Sequence, residues 1–187
     1  HMDAVNIDLK AFTDRFYWKV CGGHLEPVLE TIKYLQHETG AWLELTTLLI
    51  PGENDSEAEI EEMTQWIMEH LGPDVPLHFT AFHPDWKMLE TPATPLQTLT
   101  RSRDSALKNG LRYVYTGNVH DIKGGSTYCY HCGETLIGRD GYELSTWNIV
   151  LDDHQGSCAA CGTPVAGVFE DSPGQWGARR LPLHIAA

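Results

Sequence analysis

The feature that most constrains the fold is an alternation of short apolar runs with amphipathic stretches over the first two thirds of the sequence. Four apolar runs predict strands, at about residues 5–9 and within "AWLELTTLLIP", "PLHFTAF" and "LRYVYTGN". Three amphipathic stretches predict helices: one beginning at Pro27, one after the capping box of Ser56 and Glu59, and one over about residues 96–109. Because each helix is long enough to cross over between parallel strands, this order predicts an α/β fold with four parallel strands and three helices.

Two architectures fit this order, a small doubly wound sheet and half of a (β/α)₈-type barrel. No glycine-rich phosphate fingerprint follows the first strand, which disfavours dinucleotide binding. In both architectures the functional side chains lie where the strands end, because the loops at that edge carry the variable chemistry. The sequence therefore predicts one rim that contains Asp8, Lys10, residues 46–51, His83 and Asn118.

The rim residues have ordinary interpretations as well. Asp8 and Lys10 are two residues apart and so face the same way on a strand, but such a pair is more often an exposed salt bridge than a site. His83 taken alone reads as a satisfied loop histidine. Cys21 and Trp18 are predicted to be buried packing residues, since no base for Cys21 is evident in the sequence.

Four of the five cysteines fall in two C-x-x-C pairs with 25 residues between them, Cys129 with Cys132 and Cys158 with Cys161. Each pair predicts a tight turn that offers two thiolates, and two such turns complete a tetrahedral metal site. The alternative is two separate disulfides or redox pairs. We expect a structural zinc ion, although iron fits the same ligands, in a zinc-ribbon or rubredoxin-like domain over residues 118–187.

Composition excludes several classes of function. The chain has 26 acidic and 13 basic side chains, a formal net charge of -13, which argues against nucleic-acid binding. No apolar run is long enough to span a membrane and no leader pattern opens the sequence, so a cytoplasmic protein is expected. His1 and Met2 are interpreted as a cloning scar, which leaves residues 3–117 as the α/β domain.

An ordered set of motifs covers almost the whole chain: "AVNIDLKAFTDRFYWKVCGGHLEPVLETI", "WLELTTLLIPGEND", "HFTAFHPDWKM", "YVYTGNV" and the double C-x-x-C tail. In these motifs the sequence resembles the radical S-adenosylmethionine (SAM) enzymes of the AmmeMemoRadiSam system, relatives of the pyruvate formate-lyase activating enzymes. The resemblance implies a partial (β/α)₆ barrel, a [4Fe-4S] cluster and SAM cleaved reductively to a 5′-deoxyadenosyl radical.

The resemblance also implies roles for individual residues. In such activating enzymes the D-x-K motif at a strand end contacts the methionyl part of SAM, and here this motif is Asp8 and Lys10. His83 resembles the histidine beside the ribose and adenine, whereas Asn118 is included for its rim position. A protein or peptide of the same system is the implied substrate.

The sequence departs from that family in one large respect, because a C-x-x-x-C-x-x-C loop for the cluster is absent. The chain is therefore interpreted as the C-terminal half of such an enzyme, inactive alone. Exposed barrel edges predict a homodimer or a domain-swapped assembly. The competing interpretation is a non-catalytic zinc-ribbon interaction module on an α/β scaffold.

Overall fold

The computed structural model describes residues 2–170 of the chain. The described residues form two compact units, one that ends at Gly124 and one that begins at Gly125. The structural boundary therefore lies seven residues after the position where the composition of the sequence changes.

The first unit is built on one sheet of four parallel strands, in the spatial order β1-β2-β3-β4. The strands are β1 (Ala4–Asp8), β2 (Trp42–Leu49), β3 (Leu77–Ala81) and β4 (Val114–Gly117). Consecutive strands are neighbours and all run the same way, so every carboxyl end lies at one edge of the sheet. The predicted parallel α/β architecture is confirmed.

Five helices lie in the described part of the chain, two more than predicted. The three crossover helices are α2 (Leu25–Glu38), α3 (Glu57–Leu71) and α4 (Leu96–Lys108). The additional helices are a single turn each, α1 (Asp14–Phe16) and α5 (Ile122–Gly125), and a π-helical turn (Tyr17–Cys21) follows α1. None of the helices within residues 2–170 is long and apolar enough to cross a membrane.

Two details of the helix starts differ from the sequence prediction. Helix α2 begins two residues before Pro27, which fits because the third N–H of a helix also lacks an intrahelical partner. At α3, Ser56 Oγ accepts from the Glu59 N–H as a capping box requires. The Glu59 carboxylate, however, accepts from the Phe12 N–H at 2.7 Å and so ties α3 to the loop after β1.

The core of the first unit lies between the helices and one face of the sheet. Along β2, the side chains of Leu43, Leu45, Thr47 and Leu49 are buried, and the residues that alternate with them are half-buried. Burial along this strand therefore alternates, and its fully buried side chains all lie on one face of the sheet. Buried residues of α2, α3 and α4 complete the cluster, among them Ile32, Met63, Ile67 and Leu99.

The second unit is all β and contains two three-stranded antiparallel sheets, with spatial orders β5-β6-β7 and β10-β9-β8. The strands are β5 (Thr127–Tyr128), β6 (Thr135–Asp140), β7 (Glu143–Trp147), β8 (Ile149–Asp152), β9 (Gln155–Cys158) and β10 (Pro164–Val165). Gly141 has a positive φ of 57° at the turn between β6 and β7, a conformation that suits a hairpin turn.

Replacing Leu45 by Ala should lower the free energy of unfolding by about 2–5 kcal/mol, because the side chain is fully buried and leaves a cavity. The matched control is Leu48→Ala on the same strand, where the half-buried side chain lies on the other face and the loss should be clearly smaller. Leu48 packs against a smaller buried cluster that includes Phe16 and Phe82. Urea unfolding of both variants measures the difference, and equal losses would contradict the placement of the main core on the helical face.

Candidate functional site and candidate metal centre

The carboxyl edge of the first sheet carries an ion pair between Asp8 and Lys10. Asp8 is the last residue of β1, and its Oδ2 lies 2.9 Å from Lys10 Nζ. The side chains are 55% and 38% exposed, so both charges can reach a ligand. An exposed pair of this kind adds little stability, because water screens it and its long side chains must be ordered.

The other predicted rim residues lie at the same edge. Asn118 follows β4 directly in a left-handed backbone conformation with φ 59°, and its side-chain amide donates to the Ala81 carbonyl at 3.1 Å. This bond joins the end of β4 to the end of β3. His83 comes two residues after β3 and is exposed. The structure thus puts Asp8 in contact with Lys10, and Asn118 in contact with the strand that precedes His83.

Buried polar side chains fix the backbone of this rim, and sequence reasoning missed them. Asn54 is 1% exposed; it donates to the carbonyls of Lys10 and Leu48 at 2.6 and 2.9 Å and accepts from the Ile50 N–H at 2.6 Å. It therefore joins the end of β1 to the end of β2. In the sequence, Asn54 forms part of a chance glycosylation sequon, which says nothing about this role. The one available indication was Gly52, which predicts a tight turn after β2 in which a polar side chain could bond to the backbone.

Thr94 performs the same task between β2 and β3. Its hydroxyl donates to the Leu49 carbonyl at 2.6 Å and accepts from the Phe82 N–H at 2.9 Å. Thr94 lies in the loop after β3, within "TPATP". The two prolines indicate a conformationally restricted segment, but the sequence does not show which backbone groups the Thr94 hydroxyl would bond to. The loops that carry the rim residues are thus held at fixed positions.

The π-helical turn lies beside the ion pair. Tyr17 is buried and its Oη accepts from the Lys10 N–H at 3.0 Å; burial raises the pKa of this phenol. Cys21 is exposed, which corrects the prediction of a buried thiol, and partial desolvation raises its pKa against the opposing effect of the Lys10 charge. Trp18 is 64% exposed and stacks on His24, so the prediction that it packs inside was also wrong. Cys21 and Trp18 both belong to the π-helical turn, in which Tyr17 is the buried residue.

A cavity of about 180 Å³ opens between the loop after β1 and the loop after β2. Its lining includes the cationic Arg15 and Lys19 and the carboxylates of Glu53 and Glu59. Burial raises the pKa of Glu59 and the Phe12 N–H partly offsets that effect. Glu59 is engaged by backbone, so its role is to hold the loop after β1.

In the second unit the four C-x-x-C cysteines come together, as the sequence predicts. All four Sγ atoms lie within 4.8 Å of one another. Cys129 Sγ is 3.7 Å from Cys161 Sγ, and Cys132 Sγ is 3.7 Å from Cys158 Sγ. A tetrahedral ion with metal–sulfur bonds of about 2.3 Å spaces its sulfurs at about 3.8 Å, so the set fits one metal ion.

The two cysteine turns share one backbone arrangement. The Gly133 N–H donates to the Cys129 carbonyl at 2.9 Å, and the Gly162 N–H donates to the Cys158 carbonyl at 2.8 Å. Both glycines have positive φ, 77° and 73°, which only glycine adopts readily. The first cysteine of each pair is buried and the second is exposed. His131 and His154 are exposed.

The pKa values of the two exposed thiols, Cys132 and Cys161, are shifted in opposite directions. Hydrogen bonds between Cys161 and both the hydroxyl and the backbone of Thr163 lower the pKa of Cys161 to about 6. At Cys132 a backbone hydrogen bond from Glu134 acts in the lowering direction, but the neighbouring cysteines outweigh it and raise the pKa to about 12. Adjacent thiols cannot all ionise unless a cation balances the charge, and a divalent ion supplies that balance.

No protein-family model matches the chain. A protein of Methanocaldococcus jannaschii named Uncharacterized protein MJ0808 is 43% identical over 164 residues, which cover 88% of this chain and 48% of that protein. GTP 3′,8-cyclase of Lactiplantibacillus plantarum is 28% identical over 188 residues, which cover 88% of this chain and 53% of the cyclase. The chain thus spans about half the length of these curated relatives.

A solved structure supports the fold. The crystal structure of a domain of pyruvate-formate lyase-activating enzyme from Bacteroides vulgatus superposes with a TM-score of 0.54 and 17% identity, covering 62% of this chain and 68% of that domain. At this identity the likeness concerns the fold alone. A radical SAM methyltransferase from Sphaerobacter thermophilus, with a TM-score of 0.45 and 19% identity, superposes too loosely to support a conclusion.

Replacing Asn54 by Ala should lower the free energy of unfolding by about 2–4 kcal/mol, since it leaves one buried N–H and two carbonyls without their partner. Asn6→Ala is the matched control, because Asn6 is exposed and accepts a hydrogen bond from Thr46. Denaturant unfolding measures both. A loss at Asn54 no larger than at Asn6 would contradict its role as the link between β1 and β2.

Replacing Cys132 by Ser should reduce bound metal from one ion per chain to well below one, because the tetrahedral set loses a thiolate. Cys21→Ser, which removes the remaining cysteine of the sequence, should keep the full ion. Elemental analysis and the thiolate-to-cobalt absorption of the Co²⁺-loaded protein measure the content. An equal loss in both variants would show that the cluster is not the metal centre.

Proposed function

We propose that the chain is the C-terminal part of a radical SAM enzyme, one of the AmmeMemoRadiSam system, in which the rim of the first unit binds SAM. The observation that carries the proposal is the accessible ion pair of Asp8 and Lys10 at the carboxyl edge of a parallel sheet. The D-x-K motif, the quoted sequence motifs and the superposition on the activating-enzyme domain support it.

The rim fits the charges of SAM. Lys10 offers an ammonium to the carboxylate of the methionyl group, and Asp8 offers a carboxylate to its amino group. The two charges are adjacent, 2.9 Å apart, so the ammonium and carboxylate of one α-amino acid group can reach both. His83 and Asn118, which follow the ends of β3 and β4, contact the adenosine part in this proposal.

The residues of this chain do not fit a [4Fe-4S] cluster. Of its five cysteines, four converge at 3.7–4.8 Å in the second unit, a spacing that suits a single ion, and Cys21 alone cannot hold a cluster. We assign the cluster ligands to residues outside this chain, which the half-length match to the curated relatives supports. With cluster and SAM bound, the chemistry supplied is reductive cleavage of SAM to a 5′-deoxyadenosyl radical. This chain alone is then inactive.

The metal of the four-cysteine centre is zinc in this proposal. Four thiolates complete a closed tetrahedral shell with no position for a substrate, which is the usual form of a structural zinc site. The ion stabilises the small second unit, since metal binding there is coupled to folding.

The partner proposals rest on the edges of the sheet and on the family resemblance. Within the described sheet, β1 and β4 each have a single neighbouring strand, so each presents an edge that can pair with another strand. The remaining half of a barrel, or a second copy in a homodimer or domain-swapped assembly, can satisfy these edges. The substrate is a protein or peptide of the same system.

The proposal is tested with the protein extended to the full length of its relatives, loaded anaerobically with iron and sulfide. Wild-type protein should form 5′-deoxyadenosine from SAM and a reductant. Lys10→Ala should weaken SAM binding about 10- to 100-fold, because one charge-assisted hydrogen bond is lost. The matched control is Lys33→Ala, which removes a lysine that pairs with Glu30 on α2.

Two results would contradict the proposal. One is the absence of 5′-deoxyadenosine from wild-type protein that carries a complete cluster, which leaves the non-catalytic metal module on an α/β scaffold. The other is equal SAM affinity of the Lys10→Ala and Lys33→Ala variants, which would remove the ion pair from the site.

A further inference from the structure

The face of the first sheet that points away from the helices is largely polar, although Trp42 and Leu48 of β2 also lie on it. Alternation along each strand puts seven hydrophilic side chains on this open face: Asn6, Asp8, Glu44, Thr46, His78, Thr80 and Tyr115. Parallel sheets are usually apolar on both faces, because helices or a packed interior cover them. Polar residues on this face add little to the stability of the sheet, so their presence suggests a role in binding.

Four of these residues, one from each strand, lie side by side in a row across the sheet. Asp8 is paired with Thr46, Thr46 with His78, and His78 with Tyr115. Neighbouring strands are about 4.8 Å apart, so His78 lies about 10 Å from Asp8 along this row. The row therefore connects the proposed SAM ligand on β1 with the histidine on β3.

Glu44 and His78 form a positioned carboxylate–imidazole pair on this face. Glu44 Oε2 lies 2.8 Å from His78 Nε2, and Glu44 Oε1 accepts from the Trp42 indole N–H at 3.1 Å. The His78 ring stacks on Tyr115 with centroids 5.0 Å apart and an interplanar angle of 24°. Both oxygens of Glu44 are thus engaged, and the imidazole is fixed in direction and plane.

This geometry determines how the pair can meet a ligand. Because Nε2 faces the carboxylate, Nδ1 is the ring nitrogen turned to other partners, and in the neutral imidazole it is an acceptor. The side chains of His78 and Glu44 remain 30% and 34% exposed, so a ligand can reach them. The stacked rings add a planar surface beside the acceptor.

We propose that Glu44, His78 and Tyr115 form a binding site for a ligand that carries an N–H donor, such as an ammonium or amide group, next to a planar group. The negative charge of Glu44 and the acceptor Nδ1 both favour a donor, and a carboxylate or phosphate would meet repulsion. A metal ion is disfavoured, because within residues 2–170 the group of metal-ligating side chains close enough for an ion is the cysteine cluster.

This site deepens the proposed function and rests on it for its biological meaning. A substrate held at His78 would lie about two strands from a cofactor held at Asp8 and Lys10, on the same face of the sheet. The open face then selects an amine- or amide-bearing substrate group, such as a lysine side chain or a peptide N–H.

The test is a titration of this chain with phenethylamine as the probe, followed by NMR of labelled histidine and tyrosine rings. Saturable shifts at His78 and Tyr115 are expected in the wild-type chain. Glu44→Gln should weaken binding at least about 10-fold, since it removes the charge but keeps an acceptor for Trp42. Glu30→Gln, on an exposed glutamate of α2 that pairs with Lys33, should leave the affinity unchanged.

The anionic analogue 3-phenylpropanoate supplies the second comparison and should show no saturable shifts at these rings. The proposal is overturned if phenethylamine gives no saturable shifts in the wild-type chain, if the two probes bind equally, or if Glu44→Gln binds as tightly as Glu30→Gln. His78→Asn, which should also weaken phenethylamine binding, gives a second variant if Glu44→Gln does not fold, with the shift at Tyr115 as its readout. The titration uses neither SAM nor a cluster, so its failure is separate from failure of 5′-deoxyadenosine formation.

Discussion

The parallel hydrogen bonding of four consecutive strands is the constraint on which the rest of the first unit depends. It brings the ends of β1, β3 and β4 to one edge and so gathers Asp8, His83 and Asn118 from positions more than a hundred residues apart. It also fixes which residues stand side by side, because the register pairs Asp8 with Thr46 and Thr46 with His78. Side chains such as Asn54 and Thr94 then hold the loops that leave this edge. The backbone hydrogen bonding therefore determines where the candidate groups lie, and side-chain hydrogen bonds then hold the loops that carry them.

The two faces of the sheet have different tasks. The helical face buries leucines and Phe79 and supplies the apolar contacts that stabilise the unit. The open face contributes few such contacts, so its residues can be selected for charge and hydrogen bonding, as the Glu44–His78 pair is. The second unit has short strands and is too small for a large apolar core. Its four cysteine sulfurs lie within 4.8 Å of one another, where a bound metal ion could link the two cysteine turns.

Local patterns in the sequence were sufficient for the order of the four parallel strands and their three crossover helices and for the cysteine cluster, because periodicity and C-x-x-C spacing act over a few residues. They were insufficient where the outcome depends on register between distant segments. Glu44 and His78 are 34 residues apart, and no local pattern indicates that their side chains meet. The same holds for Asn54, whose partners are on two strands, and for Glu59, whose carboxylate contacts Phe12 instead of closing its own capping box. Cys21 was misjudged because its burial was inferred from residue type alone, and no sequence pattern indicated the π-helical turn in which it lies.

The unequal burial of the cysteines in each turn has a kinetic consequence. Cys129 and Cys158 are shielded, whereas Cys132 and Cys161 face solvent. A chelator or an oxidant would therefore meet the outer two sulfurs first. For a metal ion held by all four sulfurs, release would then proceed in two stages, with the inner pair the last to detach.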